Sequence, residues 1–382
     1  MRIAFIVHDL NRSWGHSRYV AELAERFSLD HDVHIFANTF ACDAVLEKVT
    51  LHRIPALRSN AFATILSFLV PATLQHLKGF DIVHSQGLCG LRQNVITAHQ
   101  CNREWYLARQ RVEGRLGWRE QVFGTVISLV EGLFYRLVRK ARVIAISERI
   151  RSDLRRHYGC RAPMDMIHHG TDTVRFTPER PAERTSWRKL WNIDEEQTAF
   201  LFVGDMRKGA RQCISAMRDF PSDKLVLVSR SPVGLWKEIA YAEGVADRVV
   251  FAGPSERVET IYPAADVFLL PTPYDPFALV ATEAMSCGLP VVISREAGAS
   301  ELVEHGRNGL ILADVNDIRE LAGHMGMLRS DRNVARRLGR AARKRQENMT
   351  WDAVAEQTMR VYEEQLALER RSRTALRMVG SR

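Results

Sequence analysis

Two carboxylates lie eight positions apart in an otherwise apolar stretch, DPFALVATEAMSCGLPVV at residues 275–292. Asp275 precedes a proline, which disfavours helical geometry at the residue before it, so Asp275 is predicted to lie in a loop or turn. Glu283 lies in a segment, about 278–287, that suits a short helix ended by the following glycine and proline. Such a helix start can bind phosphate through backbone amides, and Glu283 can accept hydrogen bonds from a sugar's hydroxyl groups.

The elements around this segment predict where the two acids lie. Apolar runs at 265–271 and 290–294 read as buried strands, which gives the order strand, loop, helix, strand of a parallel α/β sheet. Ligands bind such sheets beyond the carboxyl ends of the strands, where Asp275 and the helix start are expected. The alternative is a turn residue at Asp275 and a solvated helix residue at Glu283, and the spacing alone does not separate the two.

Composition restricts the class of protein. The chain has 382 residues, which favours two domains, with 46% hydrophobic and 26% charged residues. Its formal charge of +9 suits nucleic acid, anionic lipid or phosphorylated ligands. No zinc-finger spacing or RNA-binding signature is present in the sequence, so no nucleic-acid partner is predicted.

Cysteine usage and apolar runs predict a cytoplasmic protein. The cysteines at 42, 89, 101, 160, 213 and 287 form no C-x-x-C pair, as is typical of reduced thiols. The opening residues, MRIAFIVHDL, contain an apolar run that is too short for a signal peptide and that suits a first strand. The sequence contains no apolar stretch long enough for a membrane helix.

Both halves of the chain alternate predicted strands and helices. The predicted strands are 2–7, 32–38, 81–85, 94–99, 142–147 and 164–169, then 199–204, 224–229, 248–253, 266–271, 290–294 and 309–312. A turn-rich segment at 169–184 breaks this rhythm and reads as a hinge, and the chain becomes helical from about 316. The pattern predicts two doubly wound α/β domains with a cleft between them.

Four segments, in order, carry a resemblance to a known family. They are HHGTDTVRFTP at 168–178, FVGDMRKG at 202–209, YPAADVFLLPTPYDPFALVATEAMSCGLPVV at 262–292 and GASELVEHGRNGLIL at 298–312. The chain resembles the retaining nucleotide-sugar glycosyltransferases of family 4, which have the GT-B fold. The resemblance implies two Rossmann-like doubly wound domains that face a central cleft.

The same resemblance implies a division of labour between the domains. Residues 1–172 would bind the acceptor, with a C-terminal helix of about 352–382 packed back on them, and residues 173–351 would bind the donor. Asp275 matches the family's first acid, near the donor sugar and the reacting centre, and Glu283 matches the second acid, on the nucleotide ribose.

Further donor contacts follow from the matching positions. The backbone amides of Phe277, Ala278, Leu279 and Val280 would contact the diphosphate and sugar. Arg207 and Lys208 match the cations that hold the diphosphate and stabilise the charge that grows on it as it leaves. The alternative for these two residues is a pair of solvated loop charges.

Two positions in the first half complete the predicted site. His99 ends a strand, as the family's cleft histidine does, although a strand-end histidine can be merely structural. Gly15 follows the first strand, where the family has a glycine-rich loop near the phosphates and the acceptor, although a turn glycine explains it almost as well.

The sequence departs from the family pattern at four places. The first acid is Asp275 rather than glutamate, the glycine of the family's F-G-L is Ala278, and the usual arginine after Gly204 is Asp205. The first loop has SWGHS at 13–17 rather than two glycines. These departures affect the predicted donor-sugar preference and allow altered or lost activity.

A basic and aromatic stretch at 103–142 suggests a membrane surface. It carries nine Arg and Lys residues against four Glu, and aromatic residues are interleaved with them. The aromatic residues are Trp105, Tyr106, Trp118, Phe123, Phe134 and Tyr135. Such a pattern suits an anionic bilayer, but a core helix with a solvated basic face is the alternative.

The expected activity follows from the resemblance. The chain would transfer a sugar from a nucleoside-diphosphate sugar to a hydroxyl acceptor, such as a glycolipid, lipopolysaccharide or other surface-glycan precursor. Transfer would retain the anomeric configuration by front-face displacement and would use no metal or cofactor. The alternatives are a sugar-nucleotide hydrolase or phosphorylase on the same fold, and an inactive GT-B scaffold.

Overall fold

The chain folds into two compact units. The computed structural model describes residues 1–12, 14–41, 47–59, 61–114 and 116–379, with residues 61–62 and 373–379 described by their backbone. Unit 1 consists of residues 1–170 and 351–382, and unit 2 consists of residues 171–350. Assignment of acceptor binding to unit 1 and donor binding to unit 2 stays a prediction.

Unit 1 is built on a parallel sheet with the strand order β5-β3-β1-β6-β7-β8-β9. Its strands are β1 (Arg2–Ile6), β3 (Asp32–Ala37), β5 (Val49–Arg53), β6 (Ile82–Gln86), β7 (Val95–Ala98), β8 (Arg142–Ala145) and β9 (Met164–Met166). A separate short pair joins β2 (Asp9–Leu10) to β4 (Thr39–Phe40). In the central strands the side chains are buried on both faces, as expected for a sheet covered by helices.

Helices cover this sheet and close the unit. They are α1 (Gly15–Phe27), α2 (Ala61–Leu74), α3 (Asn102–Glu113), α4 (Trp118–Leu137), α5 (Glu148–Tyr158) and the C-terminal α12 (Trp351–Val379). The rings of Phe27 on α1 and Tyr362 on α12 lie 5.6 Å apart, and Tyr362 is fully buried. The C-terminal helix therefore packs on the N-terminal part of the chain within unit 1.

Unit 2 repeats the scheme with the strand order β12-β11-β10-β13-β14-β15. Its strands are β10 (Ala199–Val203), β11 (Lys224–Val228), β12 (Val249–Gly253), β13 (Val267–Leu270), β14 (Val291–Ser294) and β15 (Leu310–Leu312). The registers are parallel, with Phe200 beside both Leu225 and Val267. All residues of β10 and β13 are buried, which explains their continuous apolar sequences.

The helices of unit 2 alternate with these strands. They are α6 (Pro181–Leu190), α7 (Ala210–Ala216), α8 (Gly234–Ala242), α9 (Leu279–Ser286), α10 (Ile318–Ser330) and α11 (Arg332–Gln346), with short 3₁₀ turns that include Met206–Lys208 and Tyr262–Ala264. Gly288, after α9, has a left-handed φ of 73°, as expected for a glycine that ends a helix. Gly339 on α11 packs against this turn, because a Cβ there would lie 2.1 Å from the Gly288 carbonyl oxygen.

The sequence-based fold class is confirmed. The structure contains two Rossmann-like parallel sheets, and every predicted strand is present with its ends shifted by at most three residues. The short strands β2 and β4 and the edge strand β5 were not predicted from the sequence. Among the cysteines, those at 89, 101, 160, 213 and 287 are buried free thiols, and Cys42 lies outside the described residues. Within the described ranges, each helix is too short or too polar to cross a membrane.

Candidate active site

The start of helix α9 offers backbone amides to an anion. The preceding residue, Ala278, has a left-handed φ of 71° and turns the chain into the helix. No side chain among the described residues caps this start, and the first amides of a helix have no acceptor within it. The amides of Leu279 and Val280, both half-buried, are therefore available to a ligand such as a phosphate.

Ala278 occupies a backbone conformation that favours glycine. A non-glycine residue in the left-handed region costs about 1–2 kcal/mol, because its Cβ crowds the following carbonyl. The departure of Ala278 from the family's glycine therefore leaves the chain path of the helix start intact and makes it less stable.

Asp275 is fixed by contacts on both of its carboxylate oxygens. Its Oδ1 accepts a hydrogen bond from the backbone N–H of Phe277 at 3.1 Å, and its Oδ2 lies 2.6 Å from Lys208 Nζ. The side chains of Asp275 and Lys208 are 8% and 28% exposed, so their charges attract each other with little screening by solvent. The structure thus brings together the predicted first acid and one predicted diphosphate cation, which lie 67 residues apart in the chain.

The loop that carries Lys208 is shaped by a close backbone approach. Gly209 has φ 117°, and a Cβ there would lie 2.4 Å from the carbonyl oxygen of Pro271. Only glycine avoids this collision, so it lets the loop after β10 pass directly beside the loop after β13. That approach places Lys208 beside Asp275, which also follows β13.

Arg207 is engaged by an acid within its own loop. Asp205 caps the 3₁₀ turn through the Arg207 backbone N–H at 2.9 Å, and its Oδ2 accepts a bond from the Arg207 guanidinium at 2.6 Å. Burial raises the pKa of Asp205, but the bonds and charge of Arg207 outweigh burial and hold the pKa below its ordinary value. The structure therefore keeps Asp205 ionised, and this carboxylate competes with any diphosphate for Arg207.

Glu283 is buried inside unit 2, with only 4% of its surface exposed. The hydroxyl of Tyr262 lies 2.9 Å from Glu283 Oε2 and 3.2 Å from the carbonyl oxygen of Val280. The alternative of a solvated helix residue is therefore wrong. A buried carboxylate one turn inside α9 is suited to accept hydrogen bonds from hydroxyl groups.

The segment 171–176 is bonded to the same helix. The Thr171 hydroxyl donates to Thr282 Oγ1 at 2.9 Å, and the Ser286 hydroxyl donates to the Phe176 carbonyl oxygen at 2.8 Å. From α11, Arg343 Nη1 lies within 3.0 Å of the carbonyl oxygens of Phe176 and Ser286. Sequence analysis missed both Tyr262 and Arg343, because only the tertiary fold brings them to α9.

His99 lies at the end of β7 in unit 1, among other aromatic side chains. Its Nε2 is 2.8 Å from Gln86 Oε1, and its ring stacks on His169 with centroids 5.4 Å apart. Burial, followed by the neighbouring charges of His169 and His16, lowers the pKa of His99 well below its ordinary value. His99 is therefore a neutral imidazole near pH 7, which can hydrogen-bond a hydroxyl group.

Gly15 is the first residue of α1 in unit 1 and follows β2. Trp14 precedes it in extended geometry, with no side-chain cap on the helix, and its side chain is 54% exposed. Gly15 and His99 thus belong to unit 1, whereas the other predicted site residues belong to unit 2. Their roles toward a donor or an acceptor stay predictions.

One cluster among the described residues has the spacing of metal ligands, namely Glu104, Asp153 and His157 in unit 1. Glu104 Oε2 lies 2.8 Å from His157 Nε2, and its Oε1 pairs with Arg111 and Arg149. Because arginines already satisfy this carboxylate, the cluster is an ion-pair network rather than a good cation site.

The stretch 103–142 forms most of α3 and all of α4. One side of α4 is apolar and exposed, a surface that we call the α4 stripe. Its members, with exposed fractions of 72, 57, 68, 59 and 69%, are Trp118, Val122, Leu129, Leu133 and Leu137. Two of the six aromatic residues in the stretch are not at the surface, because Phe134 and Tyr135 are 3% and 1% exposed and pack inside unit 1.

Comparisons with known families match both units. Residues 15–175 match the family described as Glycosyltransferase Family 4. Residues 183–345 match the family described as Glycosyl transferases group 1. The second match includes every predicted site residue of unit 2.

Two proteins of known families align with the chain. An alpha-maltose-1-phosphate synthase of Mycolicibacterium smegmatis is 29% identical over 81% of this chain and 86% of its own length. A D-inositol 3-phosphate glycosyltransferase of Xylanimonas cellulosilytica is 31% identical over 59% of each chain. The chain thus spans less than two thirds of the second relative.

Two solved structures share the fold across nearly the whole chain. WaaG, a glycosyltransferase involved in lipopolysaccharide biosynthesis, superposes with a TM-score of 0.77 at 19% identity, over 93% of this chain and 98% of WaaG. Anabaena HepE, solved with UDP and glucose, gives a TM-score of 0.74 at 18% identity, over 95% and 99% of the chains. Paired Rossmann-like sheets and the two adjoining family matches lead to one conclusion: the chain belongs to the GT-B glycosyltransferases of the family 4 type.

Proposed function

We propose that this protein is a retaining, metal-independent glycosyltransferase that moves a sugar from a nucleoside-diphosphate sugar to a hydroxyl acceptor. The observation that carries the proposal is the arrangement of α9. Its open start offers amides to a diphosphate, Lys208 lies beside it on Asp275, and Glu283 is buried one turn further along. One short helix thus offers groups suited to both the phosphates and the ribose of a nucleotide.

Each group has a distinct chemical task in this proposal. Lys208 is shared between Asp275 and the diphosphate, and its charge stabilises the negative charge that grows on the leaving nucleoside diphosphate. The amides of Leu279 and Val280 assist in the same way. Glu283 accepts hydrogen bonds from the ribose hydroxyls, and Asp275 lies near the donor sugar.

The acceptor is proposed to bind in unit 1, where His99 offers a neutral ring to its hydroxyl group. We propose a glycan or lipid-linked acceptor, such as a precursor of lipopolysaccharide or another surface glycan. The named function of WaaG supports this class by analogy, since that structure shares the fold.

A panel of donors tests the reaction. Purified protein is incubated with uridine, guanosine and adenosine diphosphate sugars and a mixture of hydroxyl acceptors, with and without EDTA. We expect transfer from one donor class, unchanged by EDTA, with the product anomer identified by NMR and the activity lost in Lys208→Ala. Release of free sugar without transfer would favour the hydrolase or phosphorylase alternative.

The inactive-scaffold alternative has one specific observation in its favour, because Asp205 holds Arg207 within the loop. It predicts nucleotide binding without turnover of any donor. Calorimetry with each nucleoside diphosphate beside the donor panel separates the two outcomes.

We also propose that the protein is cytoplasmic and that unit 1 attaches peripherally to an anionic bilayer through residues 103–142. The α4 stripe supports this, since apolar side chains on one helix face suit the headgroup boundary. The exposed Arg119, Arg136, Arg139 and Lys140 flank the stripe and suit anionic lipid. Attraction of this kind contributes about 1 kcal/mol for each basic residue near the surface.

Co-sedimentation with vesicles tests the attachment. Binding should rise with the anionic-lipid fraction, fall in high salt and weaken in the Trp118→Ser and Leu129→Ser double variant. A matched control replaces Leu235 and Tyr241 in unit 2, which are 57% and 82% exposed, by serine. Protein that stays in the supernatant with strongly anionic vesicles at low salt would refute the attachment and favour a soluble acceptor.

A further inference from the structure

A cavity of about 310 Å³ opens at the edge of the unit 2 sheet opposite the candidate active site. Its wall includes Thr198, Asp266 and Pro290, which immediately precede β10, β13 and β14. These strands are neighbours in the sheet, so the cavity lies at their amino ends. Lys208 and Asp275 follow the carboxyl ends of β10 and β13, so the cavity is separate from the proposed donor site.

Both acids at this cavity are already neutralised. Asp266 accepts bonds from Arg184 at 2.9 Å and from Arg188 at 3.1 Å. Asp223, behind the wall, accepts a bond from the backbone N–H of Thr198 and pairs with Arg329. The carboxylates therefore leave little negative charge directed into the cavity.

Two further arginines line the cavity without a carboxylate partner among the described residues. Arg332 Nη2 bonds the carbonyl oxygen of Glu196 at 3.1 Å. Arg336 bonds the carbonyl oxygen of Arg332 at 3.1 Å and the side-chain oxygen of Asn333 at 3.3 Å. These acceptors are neutral, so they do not offset the positive charge of either guanidinium group. The two arginines lie one turn apart on α11, so their planar guanidinium groups can donate hydrogen bonds to the oxygens of one phosphate.

The floor of the cavity is different from this charged rim. Leu328 and Leu289 are 2% and 6% exposed and give it an apolar base. The volume is at the lower end of the range of roughly 300–1,000 Å³ found for small-molecule sites. A charged rim over an apolar floor suits a small organic anion with one phosphate group.

We propose that this cavity binds a phosphate-bearing small molecule, with the phosphate held by Arg332 and Arg336. The site is independent of the proposed donor site and does not rest on the proposed function. It adjoins Gly288, the residue that ends α9, and Gly339 of α11 packs against that residue. An occupied cavity therefore contacts the far end of the helix whose start forms the candidate active site.

Calorimetric titration of the purified full chain with inorganic phosphate and with glucose 6-phosphate tests the site. We expect binding that weakens with salt and that persists in Lys208→Ala, where the cation of the proposed donor site is absent, which separates the cavity from that site. The Arg332→Glu and Arg336→Glu double variant should lose roughly a hundredfold in affinity, because two charge-assisted contacts become repulsive.

A charge-matched control replaces Arg337 and Arg340 by glutamate. Both residues are exposed on α11 and lie outside the cavity wall, so affinity should change less than about twofold there. The single variant Arg336→Gln, which disturbs the fold least, should lose roughly tenfold. Wild-type affinity in the folded double variant, or equal affinity for uncharged glucose in the wild type, would overturn the proposal.

Discussion

The two units use the same sheet architecture but differ in the charge of the residues that follow their strands. In unit 2 the loops after β10 and β13 carry ionised groups in contact, namely Lys208 on Asp275 and Arg207 on Asp205. In unit 1 the end of β7 carries His99, stacked on His169 and held neutral. The charged residues of unit 2 suit a diphosphate donor, and the neutral histidine of unit 1 suits a hydroxyl acceptor. Because the two units share one sheet architecture, the residues of the loops after the strands determine which kind of ligand each unit suits.

Among the substitutions that test this difference between the units, removal of Lys208 should have the largest effect. Lys208→Ala deletes the cation and leaves the buried Asp275 beside the proposed position of the diphosphate, so affinity for a nucleoside diphosphate should fall roughly a hundredfold. Affinity for the nucleoside should hardly change, since the nucleoside carries no phosphate. Calorimetry with both ligands measures this, and an equal loss for the two would show that the loop does not contact the diphosphate.

Glu283 tests the part of the proposed donor site that would contact the ribose hydroxyl groups. Glu283→Ala should weaken binding of both nucleoside and nucleoside diphosphate by roughly tenfold to a hundredfold, because a charge-assisted bond is worth about 1.5–3 kcal/mol. The exposed Glu238 on α8 provides the control substitution to alanine. Unchanged nucleotide affinity in a folded Glu283→Ala protein would refute its place on the ribose.

Glu131 tests how unit 1 accommodates a buried acid. It is buried on α4, where it accepts bonds from Asn102 N–H at 2.8 Å and from the Tyr158 hydroxyl, and burial raises its pKa to about 7. The folded state therefore favours the protonated form, so stability is lost as pH rises from about 4.5 through about 7. Glu131→Gln should raise the free energy of unfolding by about 2 kcal/mol at pH 8 and change it little at pH 4.

Denaturant unfolding across this pH range measures the effect of Glu131→Gln. Two buried histidines of unit 1 affect stability in the opposite pH direction, because burial lowers the pKa of His84 and His169 to about 3. Their contribution is present above about 6.5 and is lost as pH falls through about 3. A Glu131→Gln effect at pH 8 no larger than at pH 4 would contradict the buried carboxyl.

Asp205 tests whether charge within the loop limits phosphate binding. Asp205→Asn keeps a side chain that can cap the 3₁₀ turn but removes the negative charge that holds Arg207. Affinity for a nucleoside diphosphate should then rise by up to roughly fivefold, because an exposed ion pair is worth up to about 1 kcal/mol. The double variant with Arg207→Ala should abolish the gain, and a gain that survives there would show another cause.

The smallest expected effect concerns the helix start. Ala278→Gly relieves the left-handed strain and should stabilise the protein by up to about 1 kcal/mol, since the relief of Cβ crowding exceeds the entropy that glycine adds to the unfolded chain. Denaturant unfolding measures it, with the helix-interior Ala284→Gly as a control that should destabilise. A less stable Ala278→Gly protein would show that the Cβ of Ala278 contributes packing that outweighs the strain.

The fold could be predicted well from sequence because most strands are continuous apolar runs buried on both faces. The strand missed in the large sheet of unit 1, β5, has the sequence VTLHR at the sheet edge, where its side chains are half-buried or exposed. Such a strand lacks the apolar run that marks the others. The faces of α4 were also ambiguous, since aromatic residues occur on both its buried and its exposed side.

The candidate site could be predicted only in part. Local sequence identified the loop at Asp275 and the short helix, since prolines and glycines signal these features. The two loop cations were identified by the family resemblance. Local sequence could not identify the contacts of Tyr262 and Arg343, because their partners lie 21 and 167 positions away in the chain. It also could not identify the stacking of His169 on His99, because that contact depends on how the rings pack in the folded unit. Roles toward substrates stay predictions at every one of these positions.

The contact between Gly209 and the Pro271 carbonyl has a consequence for the order of folding. The two residues are 62 positions apart, and the loop closure between them costs entropy before any packing compensates it. The loop after β10, which carries Lys208 and Gly209, can therefore adopt its final shape only after β13 has paired beside β10. A nucleoside diphosphate that binds this loop would recognise only chains that have completed this step, so during refolding it should slow unfolding and raise the native yield without accelerating earlier collapse.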